Sequence, residues 1–136
     1  MYSFYQMVKL SESIYYHGTS EENAELILAN GIDPTKYKSG MFVGFYLSPS
    51  LSYFNNFEGN KKTILAVEID DSKIIDTGSI TDKDLSELDP HFKWMSFGYK
   101  NNLMTKYALS KGYSGVKNGR EVILFNDKAI KSIKKV

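Results

Sequence analysis

Short apolar runs, separated by polar and turn-forming residues, divide the chain into predicted strands and helices. Residues 14–16 have the composition of a short strand. A helix pattern follows and stops at Gly31, since glycine commonly ends helices. Thr19 and Glu22 have the spacing of a capping box. We therefore expect a helix to follow the strand, with Thr19 as its N-cap.

A second strand pattern covers residues 42–47 and is rich in aromatic residues. Alternation gives it an apolar face with Val43, Phe45 and Leu47, and an opposite face with Phe42, Gly44, Tyr46 and Ser48. We expect the apolar face to point into the core. Because Gly44 has no side chain, the opposite face should leave room for a flat ligand to stack on the Tyr46 ring. Ser48, followed by a proline, is typical of the start of a short helix, which would carry Tyr53.

The second half of the chain carries further strand and helix patterns. The nearly continuous apolar run 63–69 predicts a strand covered on both faces, with residues 73–76 as its partner strand. Two helices are predicted, a short acidic one over 81–88 and a longer one over 101–111. An Asn-Gly pair at 118–119, between two apolar runs, predicts a tight hairpin. Together these elements predict a mixed α+β fold built on antiparallel strands.

The composition limits both the architecture and the chemistry. The chain has 42% hydrophobic and 24% charged residues, which suits one globular domain over residues 1–136. It has no cysteine and only two histidines, so thiol catalysis and Cys-ligated zinc are excluded and no metal cofactor is predicted. The net charge of +1 provides no long-range field to attract nucleic acid or a membrane. With neither a membrane-length apolar run nor a signal-peptide pattern, the expected location is cytoplasmic.

Three segments place polar groups where packing alone does not account for them. His17 and Gly18 stand between a predicted strand and a helix, and the glycine lets a ligand approach the backbone. Tyr46 lies on the open face of the second strand. Glu121 begins the last strand of the hairpin and, by alternation, shares a face with Ile123. Taken singly, each also fits a structural role: a strand-end histidine, an edge-strand tyrosine and a glutamate at the rim of a sheet.

Taken together, the His-Gly-Thr of residues 17–19, the strand 44–48 and the Glu-Val-Ile-Leu-Phe-Asn of residues 121–126 resemble the ADP-ribosyltransferase superfamily. The resemblance is to its His-Tyr-Glu branch, which includes poly-ADP-ribose polymerases, diphtheria-toxin-like enzymes, and small phage and bacterial-toxin members. It covers most of the chain, residues 14–133. It implies an α+β, ADP-ribosyltransferase-like fold with mixed, mainly antiparallel sheets and short flanking helices around an NAD cleft.

The resemblance also implies roles for particular residues. The implied catalytic set is Glu121, His17 and Tyr46, and the implied NAD-binding set is His17, Gly18, Thr19, Tyr46, Ser48 and Tyr53. His17 would bond ribose hydroxyls, the Gly18 backbone would hold the nicotinamide carboxamide, and Tyr46 would stack on the nicotinamide ring. Tyr53 would supply the opposite stacking face. Glu121 would bond the 2′-hydroxyl of the nicotinamide ribose and stabilise the positive charge that grows at its anomeric carbon.

The implied function is mono-ADP-ribosyl transfer from NAD to a macromolecule by a toxin or phage effector. A protein is the first expected acceptor, and nucleic acid is left open. Gly119 stands where arginine-modifying relatives carry Glu or Gln, so arginine is not the expected acceptor residue. Tyr46 stands where a tRNA 2′-phosphotransferase carries histidine. The brief loop over 33–41 and the lack of a preceding helical domain favour a single transfer over chain elongation.

Other functions stay open on the sequence alone. An NAD glycohydrolase, in which water is the acceptor, would use the same residues. A non-catalytic protein that binds NAD or ADP-ribose, an inhibitor protein, or a structural interaction module would keep the scaffold without the reaction. The aromatic stretch 92–99 fits either the edge of the core or a recognition surface. The sequence does not specify the oligomeric state or the acceptor.

Overall fold

The computed structural model describes residues 13–33, 36–37, 41–51 and 63–136. Within these ranges the strands are β1 Ser13–Thr19, β2 Phe45–Leu47, β3 Thr63–Ile69, β4 Ile74–Asp76, β5 Gly115–Asn118, β6 Glu121–Leu124 and β7 Ile130–Lys135. The α-helices are α1 Glu21–Asn30, α2 Asp82–Leu88 and α3 Phe97–Ser110. None of these helices is long and apolar enough to cross a membrane.

The strands form two sheets. One has three strands in the order β1-β3-β7, and both of its pairings are antiparallel. The other has four strands in the order β2-β6-β5-β4, with antiparallel pairs except for the parallel pair β4–β5. The prediction of an α+β fold with mixed, mainly antiparallel sheets is therefore confirmed.

The predicted partner of β3 is wrong. Both edges of β3 are already paired, with β1 on one side and β7 on the other. Residues 74–76 lie in the second sheet, beside β5, because a single turn over Asp71–Lys73 redirects the chain after β3. Asp70 caps that turn by accepting a hydrogen bond from the Ser72 amide at 3.0 Å. The expected burial on both faces is also only half right, since alternate residues of β3 are completely buried and the others are half-buried.

The first residues of two helices differ from those that the sequence predicts. Ser20, not Thr19, is the N-cap of α1, and its hydroxyl accepts a hydrogen bond from the Asn23 amide at 3.1 Å. Thr19 instead stays in β1, opposite Thr63 of β3, because pairing continues to the end of that strand. The short helix predicted over 81–88 is confirmed as α2, and it begins at a capping box formed by Thr81 and Asp84, which the sequence analysis did not predict. α3 begins at Phe97, four residues earlier than expected.

The hydrophobic core forms on both sides of β6. Alternate residues of β6 face opposite ways: Val122 and Leu124 pack with Phe45, whereas Ile123 packs with Phe42. A third cluster lies between α2 and α3. The predicted hairpin is confirmed, but its turn lies one residue later than the Asn-Gly pair. Asn118 is still paired with Glu121, so the turn consists of Gly119, in the left-handed region at φ 66°, and Arg120. The fold therefore fixes both faces of β6, and with them the direction in which Glu121 points.

Candidate functional site

The chain brings the three chemically distinctive segments together through β2. On one side β2 pairs with β6, with Tyr46 opposite Ile123. On the other side Ser48 forms two backbone hydrogen bonds with Tyr16 of β1, at 2.7 and 2.8 Å. β2 is thus the only described link through which backbone hydrogen bonds connect β1 with the second sheet. His17, Tyr46 and Glu121 consequently lie on three neighbouring strands.

The two strands β1 and β2 separate immediately after that contact. Tyr16 and Ser48 form an isolated bridge, so the next antiparallel pair, Gly18 with Tyr46, is not made. Backbone groups of successive residues point to opposite edges of a strand, so those of every second residue point the same way. Because both backbone groups of Tyr16 point toward β2, those of Gly18 point the same way, into the gap between the strands. We call this place, bounded by the Tyr16–Ser48 bridge, Gly18 and Tyr46, the β1–β2 junction.

His17 closes one side of the β1–β2 junction. Its Nδ1 lies 2.9 Å from the Tyr46 carbonyl oxygen. A carbonyl can only accept, so Nδ1 carries the hydrogen, and in the neutral ring Nε2 is left as an acceptor. No residue in the described ranges bonds to Nε2. The imidazole also stacks on Phe45 at 4.0 Å between ring centroids and meets the edge of the Tyr37 ring at 6.0 Å. These contacts fix the orientation of the ring.

The environment of His17 keeps the imidazole neutral. Burial among aromatic rings lowers its pKa below the ordinary value of 6.5, and the hydrogen bond to the Tyr46 carbonyl opposes this shift only in part. At neutral pH the ring therefore carries no charge. A neutral imidazole whose Nε2 has no partner among the described residues can accept a hydrogen bond from a hydroxyl group, but it does not attract a phosphate electrostatically.

Tyr46 is held in place by its own hydroxyl group. The hydroxyl accepts a hydrogen bond from the Phe42 amide at 2.7 Å and donates one to the Phe42 carbonyl at 3.0 Å. The segment before β2 is fastened a second time by the buried Asn101 of α3, whose side-chain amide donates to the Met41 carbonyl at 2.9 Å. The sequence analysis missed Asn101. Its signal was a polar residue at helical spacing from Met104 and Ala108, on the face that packs inward.

The interpretation of Gly44 is wrong. A Cβ at this position would lie 2.6 Å from Ile123 Cγ2 and 2.7 Å from the Leu124 carbonyl oxygen. The missing side chain therefore makes room for β6, not for a ligand. The assignment of faces is wrong in the same segment: Val43 is exposed and Phe42 is buried, because residues 41–44 bend before the strand begins at Phe45. Burial of Phe45 and Leu47 is as predicted.

Glu121 is the first residue of β6 and is half-buried. The β2–β6 register pairs Leu47 with Val122, so one further step along both strands places Ser48 beside Glu121. Among the residues that the structure describes, none donates a hydrogen bond to the Glu121 carboxylate. Ser48 is buried, and its hydroxyl lies 3.4 Å from the Ser50 amide nitrogen. The carboxylate is thus available at the rim of the second sheet, next to the end of β2.

The other predicted ligand-binding residues differ in how they are placed. Gly18 and Thr19 end β1, opposite Ile64 and Thr63 of β3. Tyr53 lies outside the described residues. Three cavities lined by described residues lie away from Glu121, but one of them, of about 280 Å³, is lined by Tyr37 and so adjoins His17.

We searched the described residues for a metal site and compared the chain with known proteins, to see whether either narrows the chemistry of the site. Within the described ranges, no group of three or more His, Asp or Glu side chains could hold a metal ion. Comparison of the chain with protein-family models and with curated proteins finds no match. A function for this protein is therefore inferred from the sequence and from the geometry of the β1–β2 junction.

Proposed function

We propose that this protein is an NAD-dependent mono-ADP-ribosyltransferase with an ADP-ribosyltransferase-like fold, and that NAD binds at the β1–β2 junction. The observation that supports this best is the separation of β1 and β2 after the Tyr16–Ser48 bridge. Because the strands separate, the backbone of Gly18 faces a gap beside Tyr46. Close to this gap, β2 is in contact with His17 on one side and with the strand of Glu121 on the other. Residues from three distant parts of the sequence thus lie on neighbouring strands around the end of β2.

The nicotinamide end of NAD fits the backbone side of this opening. The backbone N–H and C=O of Gly18 match the acceptor and donor of a carboxamide, as in a pair of antiparallel strands. Tyr46 is on the facing strand, and its half-buried ring is fixed by the two hydrogen bonds to Phe42. A ring that is already fixed loses little entropy when a nicotinamide stacks on it. This pairing would hold the leaving group in one orientation.

The ribose and the remaining part of the dinucleotide fit the His17 side. The free Nε2 of the neutral imidazole is a hydrogen-bond acceptor for a ribose hydroxyl. Tyr37 contacts the His17 ring and also lines the cavity of about 280 Å³ at the end of α1. An extended dinucleotide that binds at His17 would therefore reach that cavity with its far end.

Glu121 is the proposed catalytic residue. When the bond between nicotinamide N1 and the ribose anomeric carbon breaks, its electron pair goes to N1 and nicotinamide leaves as a neutral molecule. Positive charge then develops on the ribose, and a nearby carboxylate stabilises it more than it stabilises bound NAD. The acceptor nucleophile attacks the same carbon and releases its proton to solvent. Because the leaving group needs no proton, one carboxylate suffices, whereas glycosidases ordinarily use two.

Nicotinamide release from NAD by the purified chain tests the proposal, with a labelled adenosine moiety to follow the ADP-ribose. Glu121→Gln should lower the rate by about 100-fold or more, with a smaller effect on NAD binding. Glu87→Gln, the same change at an exposed carboxylate on α2, is the matched control and should leave the rate unchanged. Label found on protein indicates a transferase, and free ADP-ribose indicates a glycohydrolase.

Two results would contradict the proposal. If the folded chain binds NAD but neither the wild type nor Glu87→Gln releases nicotinamide, the protein is a non-catalytic binder. If titration calorimetry detects no binding of NAD, the β1–β2 junction is not a nucleotide site.

A further inference from the structure

The segment between α2 and α3 exposes large apolar side chains that the fold does not use. Phe92 is 2% exposed and belongs to the third core cluster. Its neighbours differ sharply, since Trp94 is 86% exposed and Phe97 is 81% exposed. The sequence of the stretch 92–99 fits both a core role and a surface role. In the structure some of its residues, such as Phe92, belong to the core, and others, such as Trp94 and Phe97, are on the surface. Adjacent exposed aromatic side chains at this level are uncommon on a surface without a partner.

A cavity of about 340 Å³ lies among these side chains. Its lining consists of Asp82, Phe92, Lys93, Met95, Ser96, Phe97 and Lys100. The apolar part of the lining comes from two aromatic side chains and a methionine, and the charged part from two lysines and one aspartate. Within the described part of the chain neither lysine forms an ion pair, although Lys100 Nζ lies 5.9 Å from the centre of the Phe92 ring.

The neighbouring carboxylates are engaged in local structure. Asp84 accepts a hydrogen bond from the Thr81 amide in the capping box of α2. Asp89 accepts hydrogen bonds from the Tyr99 hydroxyl and the His91 amide. Lys93 and Lys100 are thus the charges at this cavity that a ligand can meet, with Asp82 as their only acidic companion in the lining.

Helix α3 connects this surface with the segment that precedes β2. Phe97 and Asn101 are four residues apart on α3 and so lie on one face of the helix. Asn101 bonds to the carbonyl of Met41, a residue that is 63% exposed and precedes β2. A molecule bound over Phe97 would therefore lie one helical turn from the segment that holds Tyr46.

We propose that Trp94, Met95, Phe97 and the two lysines form a docking surface for an acidic polypeptide segment that carries a large apolar side chain between carboxylates. The apolar side chain enters the cavity and the carboxylates bind Lys93 and Lys100. Exposed aromatic residues beside a pocket are the usual anchors of protein–protein contacts. A single-stranded nucleic acid fits less well, because its backbone needs a basic groove that continues over several nucleotides, whereas the residues that line the cavity include only two lysines. The inference does not depend on the proposed activity.

The only tryptophan of the chain, Trp94, reports binding directly. The probe is a synthetic peptide with a Leu-Phe pair flanked by two glutamates on each side, and the control peptide has lysines in their place. Binding of the glutamate peptide should shift the Trp94 emission to the blue and reduce its quenching by acrylamide. The lysine peptide should produce neither effect.

Variants test separately the apolar contact with Phe97 and the ionic contacts with Lys93 and Lys100. Phe97→Ala should weaken the glutamate peptide about 10-fold, as for an interface anchor. The double variant Lys93→Glu with Lys100→Glu should weaken it about 5-fold or more and should gain affinity for the lysine peptide. Leu109→Ala and Lys106→Glu, exposed positions farther along α3, are matched controls and should leave affinity unchanged. Circular dichroism checks that each variant is folded.

Four results would overturn the proposal. They are no response to the glutamate peptide up to about 1 mM, equal responses to both peptides, a response to single-stranded oligothymidylate that competes with the peptide, and a blue shift with protein concentration alone. The third would indicate nucleic acid and the fourth self-association. Because none of these measurements involves NAD, they are independent of the test of catalysis.

Discussion

Substitution of Gly44 by alanine tests the packing that places β2 against β6. The added Cβ would lie 2.6 Å from Ile123 Cγ2 and 2.7 Å from the Leu124 carbonyl oxygen, whereas carbon atoms normally approach to about 3.5–4.0 Å. The Ile123 side chain can turn away to some extent. The carbonyl cannot, because it belongs to the strand that pairs with β2. Part of the clash must therefore be relieved by moving the strands apart.

The size of the effect follows from two opposing contributions. Overpacking of a well-packed site costs about 1–3 kcal/mol. Gly44 has no positive φ, so alanine adopts its backbone conformation and gains about 0.4–1 kcal/mol by restricting the unfolded chain. The steric cost is larger. We expect Gly44→Ala to lower the free energy of unfolding by about 1–2 kcal/mol.

Urea denaturation followed by circular dichroism measures this difference as a lower midpoint with an unchanged slope. Gly98→Ala is the matched control, since a Cβ at that exposed helical position meets only Ser96 Oγ at 3.9 Å. Alanine favours helix over glycine by up to about 1 kcal/mol, so Gly98→Ala should raise the midpoint or leave it unchanged. If Gly44→Ala is as stable as the wild type, β6 does not approach residue 44 this closely and the described β2–β6 packing is wrong.

Three further predictions address the helix cap, the half-buried His17 and the core. Ser20→Ala should cost about 1 kcal/mol of stability and Thr19→Ala distinctly less; equal losses in thermal denaturation would mean that the cap is misassigned. Because burial holds the folded-state pKa of His17 below 6.5, the unfolded chain binds the proton first as the pH falls. The free energy of unfolding should thus decrease below about pH 6.5 until the folded-state pKa is passed, and urea titrations of His17→Gln should show a shallower decrease. Phe45→Ala removes a completely buried ring that also supports His17, and calorimetry should show a loss of about 3–5 kcal/mol; a loss below 1 kcal/mol would contradict the described core.

The sequence predicts those parts of the fold whose determinants are local. Gly119 lies between two apolar runs and specifies the β5–β6 hairpin, because glycine readily adopts the left-handed conformation, φ 66°, that the first position of this turn requires. The end of α1 at Gly31 is equally local, with φ 79° and the amide bonded to Ile27. The start of α1 is less determined, since Thr19 and Ser20 are both good caps. Only the length of the β1–β3 pairing decides between them.

Pairing between strands that are distant in sequence cannot be predicted from local patterns such as turns and caps. β3 and residues 74–76 are close in sequence and both are apolar, which favours pairing between them, yet they belong to different sheets. Their separation depends on β7, whose residues take the second edge of β3. Nothing in the sequence around β3 indicates that β7, and not residues 74–76, will pair with its second edge. The same holds for Asn101, whose partner, the Met41 carbonyl, is a backbone group that any sequence would provide.

The candidate site residues were identified by resemblance, and their proximity follows from the register of one strand. Alternation along β6 sends Val122 and Leu124 into one core cluster and Ile123 into another. A slip of one residue would exchange these faces and would turn Glu121 away from the end of β2. Such a slip would also turn the Glu121 side chain toward the cluster that holds Val122 and Leu124. The packing of the core therefore fixes the direction of the Glu121 carboxylate. On the proposed function, substitutions at Ile123 or Gly44 should lower nicotinamide release by displacing this carboxylate.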